Sequence, residues 1–475
     1  MSAAITAREH GARVKVLEKR AAPGGNSAIA GGLFAAESPV QKRFLIDARR
    51  DDLFKMAMDF AHWDINAGVV RAFIDKSGDT IRWLEEKGLV FRVVPFYPNQ
   101  NPLVYHRVQQ GQSGPVLLKL LLKRCADLGV ELLCRTRATG ITRDVTGRVT
   151  GVTASSDSEE FSIAARGVII ATGGYAGNKE LLRKHCSYWT DDMWCMGMPH
   201  TGDGLLMAQE IGAQAEGVGT LMLEGPVFQS ASNALGAWQR ALFHVAQEPL
   251  TLWVNTKGER FMDESAIFHH FESVNGVIRQ PGKISFCLLD EKVMQEALVN
   301  GLLRERNRTG NQIEDMAIGP KEDGLPLDSP VQKELELQAS QGRVKVSESW
   351  DEIAGWVGAD PEVLKATIDE YNSFCDQGWD RIFAKDRTYL RALRTPPYYA
   401  MKCGVGFLAS LGGIKVNHRM EALDHEDNPI PGLYAIGQDA GGWEPRTYNA
   451  RLTGTALGFA INSGRIAGEC AARFR

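Results

Sequence analysis

Apolar positions change their period along the chain, and each change marks an expected element. Residues 2–10 pattern as a short helix closed by Gly11. Val14-Lys15-Val16-Leu17 then reads as a buried strand ending in an acid, Glu18. Helical period dominates residues 40–92, with apolar faces on 47–60 and on 69–89 around Phe73, Ile81, Trp83 and Leu84. Tyr105-His106-Arg107 precedes a glycine turn and an amphipathic helix over 116–128. Short strands are expected at 131–137, 138–143 and 148–155, the last two joined by the turn Thr146-Gly147. A wholly apolar run, Gly167-Val168-Ile169-Ile170-Ala171, stops at Thr172-Gly173-Gly174. Thr201-Gly202-Asp203-Gly204 opens a helix over 205–211.

The texture changes between about 214 and 409, where helix and strand signals mix. A strand at 249–254 enters the turn Asn255-Thr256-Lys257-Gly258 and continues as Glu259-Arg260-Phe261-Met262-Asp263-Glu264, before the pair His269-His270. Residues 306–340 are polar, 361–376 are helical, and an aromatic, proline-punctuated return follows to Tyr398-Tyr399. The opening texture then reappears. Leu411-Gly412-Gly413 leads into a strand, and Leu433-Tyr434-Ala435-Ile436 ends at Gly437-Gln438. A loop over 441–449 precedes a long small-residue helix from Gly454 to about Ala472.

A chain of 475 residues is long enough for two cores. Its net charge of -4 argues against nucleic acid or an anionic membrane as the main partner. No apolar run approaches the roughly 18 residues of a membrane span, so the expected location is cytoplasmic. The eight cysteines lack any CxxC pair and read as reduced thiols, and no metal site is expected. The 49 glycines gather in doublets beside strands, which suits backbone that a cofactor must approach closely.

Those doublets carry the chemistry. A strand ending in an acid, followed by the turns Gly24-Gly25-Asn26-Ser27 and Gly31-Gly32, is the second half of a dinucleotide-binding βαβ unit. The acid there holds a ribose hydroxyl about 20 residues after a glycine-rich turn. Counting back from Glu18 passes Met1. The first strand and its glycines are therefore expected upstream, with Met1 an internal methionine; a truncated chain is the competing expectation.

Together with Ala171-Thr172-Gly173-Gly174, Thr201-Gly202-Asp203-Gly204, Gly432-Leu433-Tyr434-Ala435-Ile436-Gly437 and Arg451-Leu452-Thr453-Gly454, these stretches resemble the flavoprotein family of fumarate reductase and succinate dehydrogenase. The resemblance implies an α/β chain: a Rossmann-like FAD-binding domain (residues 1–213 and 410–475) with an inserted α+β capping domain (214–409). It implies that Glu18, with Lys19 beside it, takes the adenosine ribose, and that Ala138 offers backbone to adenine. Gly24, Gly25, Asn26, Ser27, Gly31 and Gly32 would line the diphosphate and isoalloxazine. Ala171, Thr172 and Gly173 join the cofactor set, and Asp203, Gly437 and Gln438 complete the ribityl side. Gly454 opens the helix whose Thr455, Ala456 and Leu457 present N–H groups to the flavin pyrimidine. No histidine lies between Gly25 and Gly32, where the succinate dehydrogenases attach FAD, so noncovalent FAD is expected.

Departures from the family shape the expected reaction. The family's proton-donating arginine falls here at Phe268, and its substrate-binding histidine at Ala409, whereas the C-terminal arginine is kept as Arg451. One arginine clamps one carboxylate, so fumarate is not the expected substrate. The resemblance implies hydride exchange between flavin N5 and a carbon–carbon bond beside one carboxylate or carbonyl, in an unsaturated acid or enone. Tyr448, His270 and His269 are the candidate proton carriers, with His106 behind them. No haem-attachment or cluster motif is present, so an external electron donor or acceptor is expected. Two other classes stay open: a noncatalytic remnant that binds no FAD, and an electron-transfer flavoprotein subunit.

Overall fold

The computed structural model describes residues 1–156, 159–231, 234–238, 240–299 and 330–474. Most of the polar stretch at 306–340 lies outside those residues; its end is the helix Pro330–Ser340.

Short aliphatic strands form parallel pairs where the sequence places them. Lys15–Glu18 runs parallel to Glu131–Cys134, with Glu18 opposite Cys134. Val168–Ile170, three β-branched residues, runs parallel to Pro429–Ala435, so the chain's late strand joins an earlier one. Arg137–Arg143, Val149–Ser155 and Glu160–Ala164 make an antiparallel meander. Leu33–Phe34, Tyr105–Val108 and Phe91–Val94 make a further small sheet.

The helix Ser2–Glu9 packs on the C-terminal helix Thr455–Arg473, and small residues permit the approach. A Cβ at Gly468 would lie 2.5 Å from the Ala3 carbonyl oxygen, and one at Gly464 would strike the Ser2 hydroxyl. Phe34, Phe73, Tyr175, Leu433, Tyr434 and Phe459 fill the core around this helix pair and its sheets.

A six-stranded sheet organises the middle of the chain around one long strand, Tyr398–Ser410. Ser285–Asp290, Val344–Ser347 and Leu221–Val227 pair antiparallel to it, Trp194–Cys195 pairs parallel, and Leu252–Val254 lies beyond Ser285–Asp290. Tyr398-Tyr399, expected to end an aromatic, proline-punctuated return, open this strand. Most of the strand is buried on both faces, so it lacks the alternation that betrays a half-exposed strand. Trp253, Phe286, Leu288, Ile353, Leu364 and Met401 form a second core on this sheet. The architecture is the expected α/β class, a Rossmann-like part with an α+β cap. Among the described residues, no helix is long and apolar enough to cross a membrane.

Candidate active site

The strand Lys15–Glu18 delivers Glu18 to an open edge, where its Oε1 accepts the Arg20 N–H at 2.8 Å. Lys19 reaches across to Asp203, 3.0 Å away, and to the Thr201 hydroxyl, while Arg137 donates to the other Asp203 oxygen at 3.1 Å. Burial pushes the Asp203 carboxyl up, but Lys19, Thr201 and Arg137 outweigh it and hold the group below the usual range. Ala138 follows Arg137 on the same strand, opposite Ala154. Glu18, Lys19, Ala138 and Asp203 thus gather at one end of the parallel pair.

Two glycine turns meet next to them. Asn26 clamps the first, donating to the Leu408 carbonyl at 2.8 Å and accepting the Met198 N–H at 2.7 Å. Asp439 fixes the second: its carboxylate accepts the Thr172 hydroxyl (2.8 Å) and the N–H groups of Gly173 (2.8 Å) and Gly174 (3.2 Å). Gly25 and Gly173 have φ of 65° and 91°, in the left-handed region that glycine tolerates. Both face the His200 imidazole, which a Cβ at Gly173 would approach to 2.7 Å. His200 Nδ1 is buried without a hydrogen-bond partner, and burial beside Lys19 and Arg20 lowers the ring to about 4. Asp439 and His200 escaped the sequence reading. Asp439 follows directly on Gly437-Gln438, and an acid in so apolar a stretch was its available signal.

Further along, backbone approaches backbone. A Cβ at Gly31 would lie 2.6 Å from the Tyr105 hydroxyl, one at Gly32 2.6 Å from the His106 carbonyl, and one at Gly454 2.6 Å from Phe34 N. Gly454 (φ 88°) starts the helix Thr455–Arg473, so Thr455 and Leu457 offer first-turn N–H groups at a positive dipole end, while the Ala456 N–H is turned to the Tyr448 hydroxyl. Gly437 N–H is fastened to the Ser463 hydroxyl at 3.0 Å. Side-chain-poor turns, an unpartnered imidazole nitrogen and a helix N-terminus suit a dinucleotide with a diphosphate and a carbonyl-rich ring. The residues present fit FAD.

The proposed catalytic residues divide into two layers. Arg451, half exposed, has its Nε 3.7 Å from Glu272 Oε1 and its guanidinium 5.7 Å from the Phe60 ring centre. The His269 ring packs 4.4 Å from Tyr97, and its Nδ1 is buried without a hydrogen-bond partner. Burial lowers the His269 pKa, with Glu272 raising and Arg451 lowering it; burial raises Tyr97, which feels the same two charges. Tyr97 and Glu272 are therefore members of this layer that no motif announced. Beneath it, His270 lies among Phe96 (5.6 Å) and Phe271 (4.1 Å), and Tyr448 meets Phe271 edge-on at 4.8 Å. The Tyr448 hydroxyl accepts the Ala456 N–H at 3.4 Å, at the start of the C-terminal helix. His106 belongs to neither layer. Fully buried, its ring nitrogens bond the Ser38 hydroxyl (2.7 Å) and the Val104 carbonyl (2.9 Å), which makes it a structural group. Phe268 packs on Tyr389 at 5.5 Å, and Ala409 is buried in the long strand.

Known proteins are similar to this chain along nearly its whole length. The FAD binding domain family matches residues 1–454. A vinyl phenol reductase of Lactiplantibacillus plantarum is 31% identical over 482 residues, covering 100% of this chain and 94% of its own. A probable fumarate reductase, Ifc3, of Shewanella frigidimarina is 26% identical, covering 99% of this chain and 73% of its own. In fold, the chain is similar to 3-ketosteroid delta1-dehydrogenase from Sterolibacterium denitrificans, with a TM-score of 0.77 at 18% identity over 100% of this chain and 97% of that one. The chain belongs to the FAD binding domain family and is an FAD-dependent oxidoreductase acting on CH–CH bonds.

Proposed function

We propose that this enzyme reduces a carbon–carbon double bond conjugated to a single carboxylate or carbonyl, in a substrate flat enough to lie among aromatic rings. Bound FAD supplies hydride exchange at its N5. Arg451 holds the carboxylate or carbonyl, with Tyr97, His269 and Phe60 around it. Tyr448, whose hydroxyl reaches the start of the C-terminal helix, gives the proton. His269 and His270 are the competing carriers. One observation carries the reading. Arg451 has a half-exposed side chain in an aromatic setting, while Phe268 and Ala409, where the resemblance expects an arginine and a histidine, bring no charge. The relative named a vinyl phenol reductase supports an aromatic substrate.

The remaining assignments belong to the same proposal. Residues 1–213 and 410–475 bind FAD noncovalently through the glycine turns, and 214–409 cap the substrate. The eight cysteines are all free, which supports a reducing, cytoplasmic setting. Electrons arrive from an external donor.

The test is anaerobic reoxidation of the reduced holoenzyme by a panel of acids. Cinnamate-type monocarboxylates and enones should reoxidise it, and fumarate and vinyl phenols, which lack a single conjugated carboxylate or carbonyl, should not. R451A should lower kcat/KM for the carboxylates by about 100- to 1000-fold, and Y448F should lower kcat by about 100-fold. Fumarate as the fastest oxidant would refute the reading.

A further inference from the structure

We propose that Glu444 is the proton reservoir for Tyr448, delivering through the Thr455 hydroxyl. The proposal rests on Tyr448 being the proton donor. The three groups lie together in one buried cluster. Thr455 Oγ1 lies 2.9 Å from Glu444 Oε1, and Glu444 Oε2 accepts the Asn449 N–H at 3.2 Å. The Tyr448 hydroxyl accepts the N–H of Ala456, the residue after Thr455, at 3.4 Å, which sets the phenol beside the Thr455 hydroxyl that acts on it. Glu444, Tyr448 and Thr455 are all buried.

The surroundings keep a proton on the acid. No cation forms an ion pair with Glu444 among the described residues, and burial pushes its carboxyl up to about 8. Tyr105 and Glu444 both act on the Tyr448 phenol, which burial also raises. His270 stands behind Phe271 on the helix His270–Ile278. The helices Arg50–Phe60 and Ala67–Glu85 line the cavity beside Glu444 with Ala57, Val70, Phe73 and Ile74. This cavity of about 20 Å³ beside Glu444, Trp443 and Leu452 has room for about one water.

The step balances without any further reagent. The electron pair on the substrate carbon takes the Tyr448 hydroxyl proton. The Thr455 proton moves to the phenolate oxygen, and the Glu444 proton moves to the Thr455 oxygen. One proton has passed from Glu444 to carbon, and Glu444 is left as a carboxylate. Nothing in the relay is oxidised or reduced.

A buried glutamate that merely ties the loop to the helix start makes different predictions. E444Q keeps the shape and an acceptor but loses the acidic proton. In the wild-type holoenzyme, kcat should fall as pH rises through about 8, because the ionised reservoir has nothing to give. E444Q should have kcat about tenfold lower and lack that limb. T455V should behave likewise, and T455S should recover most of the loss. Flavin content is measured in each variant. Infrared spectra should show a protonated carboxyl band at neutral pH that E444Q removes and that fades as pH rises. An E444Q enzyme with the wild-type limb, or a wild type without that band, would overturn the relay. Y448F with undiminished kcat would overturn the donor assignment itself, whereas a slow Y448F beside an unaffected E444Q would overturn the relay alone.

Discussion

Two groups of charged side chains, made from similar residue types, are treated in opposite ways by this fold. In the cap, Arg260 Nε and Nη2 each donate to Glu264 at 2.8 Å, and Arg260 Nη1 lies 2.7 Å from Asp380. Lys385 Nζ sits 3.0 Å from Glu264 and donates to the Thr251 carbonyl at 2.9 Å. None of the four side chains is more than 6% exposed, and two cations answer two anions. Burial alone would raise the Glu264 carboxyl, but Lys385 and Arg260 hold it below its ordinary value. Around Arg451 the opposite holds. Its side chain is 57% exposed, the Glu272 carboxylate is 3.7 Å away, and the neighbouring His269 Nδ1 has no hydrogen-bond partner. Closed sets of charges hold a structure; a loosely engaged guanidinium beside perturbed neighbours is what a substrate anion needs.

The sharpest way to break that contrast is to remove one member from each group. E264A strands Arg260 and Lys385 without their shared anion, and should lower unfolding stability by about 3–5 kcal/mol, read as the denaturation midpoint in urea. R451A should leave that midpoint within error while activity falls. If R451A destabilises as E264A does, Arg451 is a structural residue and the contrast is false.

His106 tests burial without a charge partner. Its ring, bonded to Ser38 and Val104, is lowered by burial from 6.5 to about 4. The unfolded chain therefore takes up the proton first. Stability from this group is complete above about pH 6.5 and is lost as pH falls towards 4. The difference of about 2.5 units corresponds to about 3 kcal/mol. Thermal melts across that range should show the loss, and H106N should flatten part of the slope. His200, lowered likewise, would supply a further part. A slope unchanged in H106N would show that the ring is not held neutral by its surroundings.

This histidine also marks where sequence reading stops. Tyr105-His106-Arg107 carries no sign of which side chain points inward, and the strand's register with Leu33–Phe34 decides it. Local chemistry was legible: a strand closing on Glu18, the left-handed turns at Gly25 and Gly173, and Gly454 before a helix all announce themselves by residue type. Convergence was not. Tyr97, from the segment after Phe91–Val94, meets His269 and Glu272 from a helix far along the chain, and Arg451 from its end. Asp439 matters only because Thr172, Gly173 and Gly174 fold onto it. The strand Tyr398–Ser410 was hidden by being buried on both faces.

The smallest expected effect is the most instructive control. Arg183 and Asp191 form an ion pair at 2.7 Å, the same separation as Arg260 and Asp380, and a second contact at 3.0 Å improves its geometry. Its side chains are 54% and 57% exposed. The Asp191 carboxyl lies below its ordinary value chiefly through its hydrogen bond with Arg183, so attraction is present. Water competes for both groups, mobile ions screen them, and fixing two long side chains costs entropy. R183A should therefore leave the melting temperature unchanged within error at physiological salt. A loss comparable to that of E264A would mean that separation, rather than burial, sets the worth of a charge pair here. The closed network in the cap would then be no different in kind from a surface pair, and the loose contact at Arg451 would lose its meaning as a sign of function.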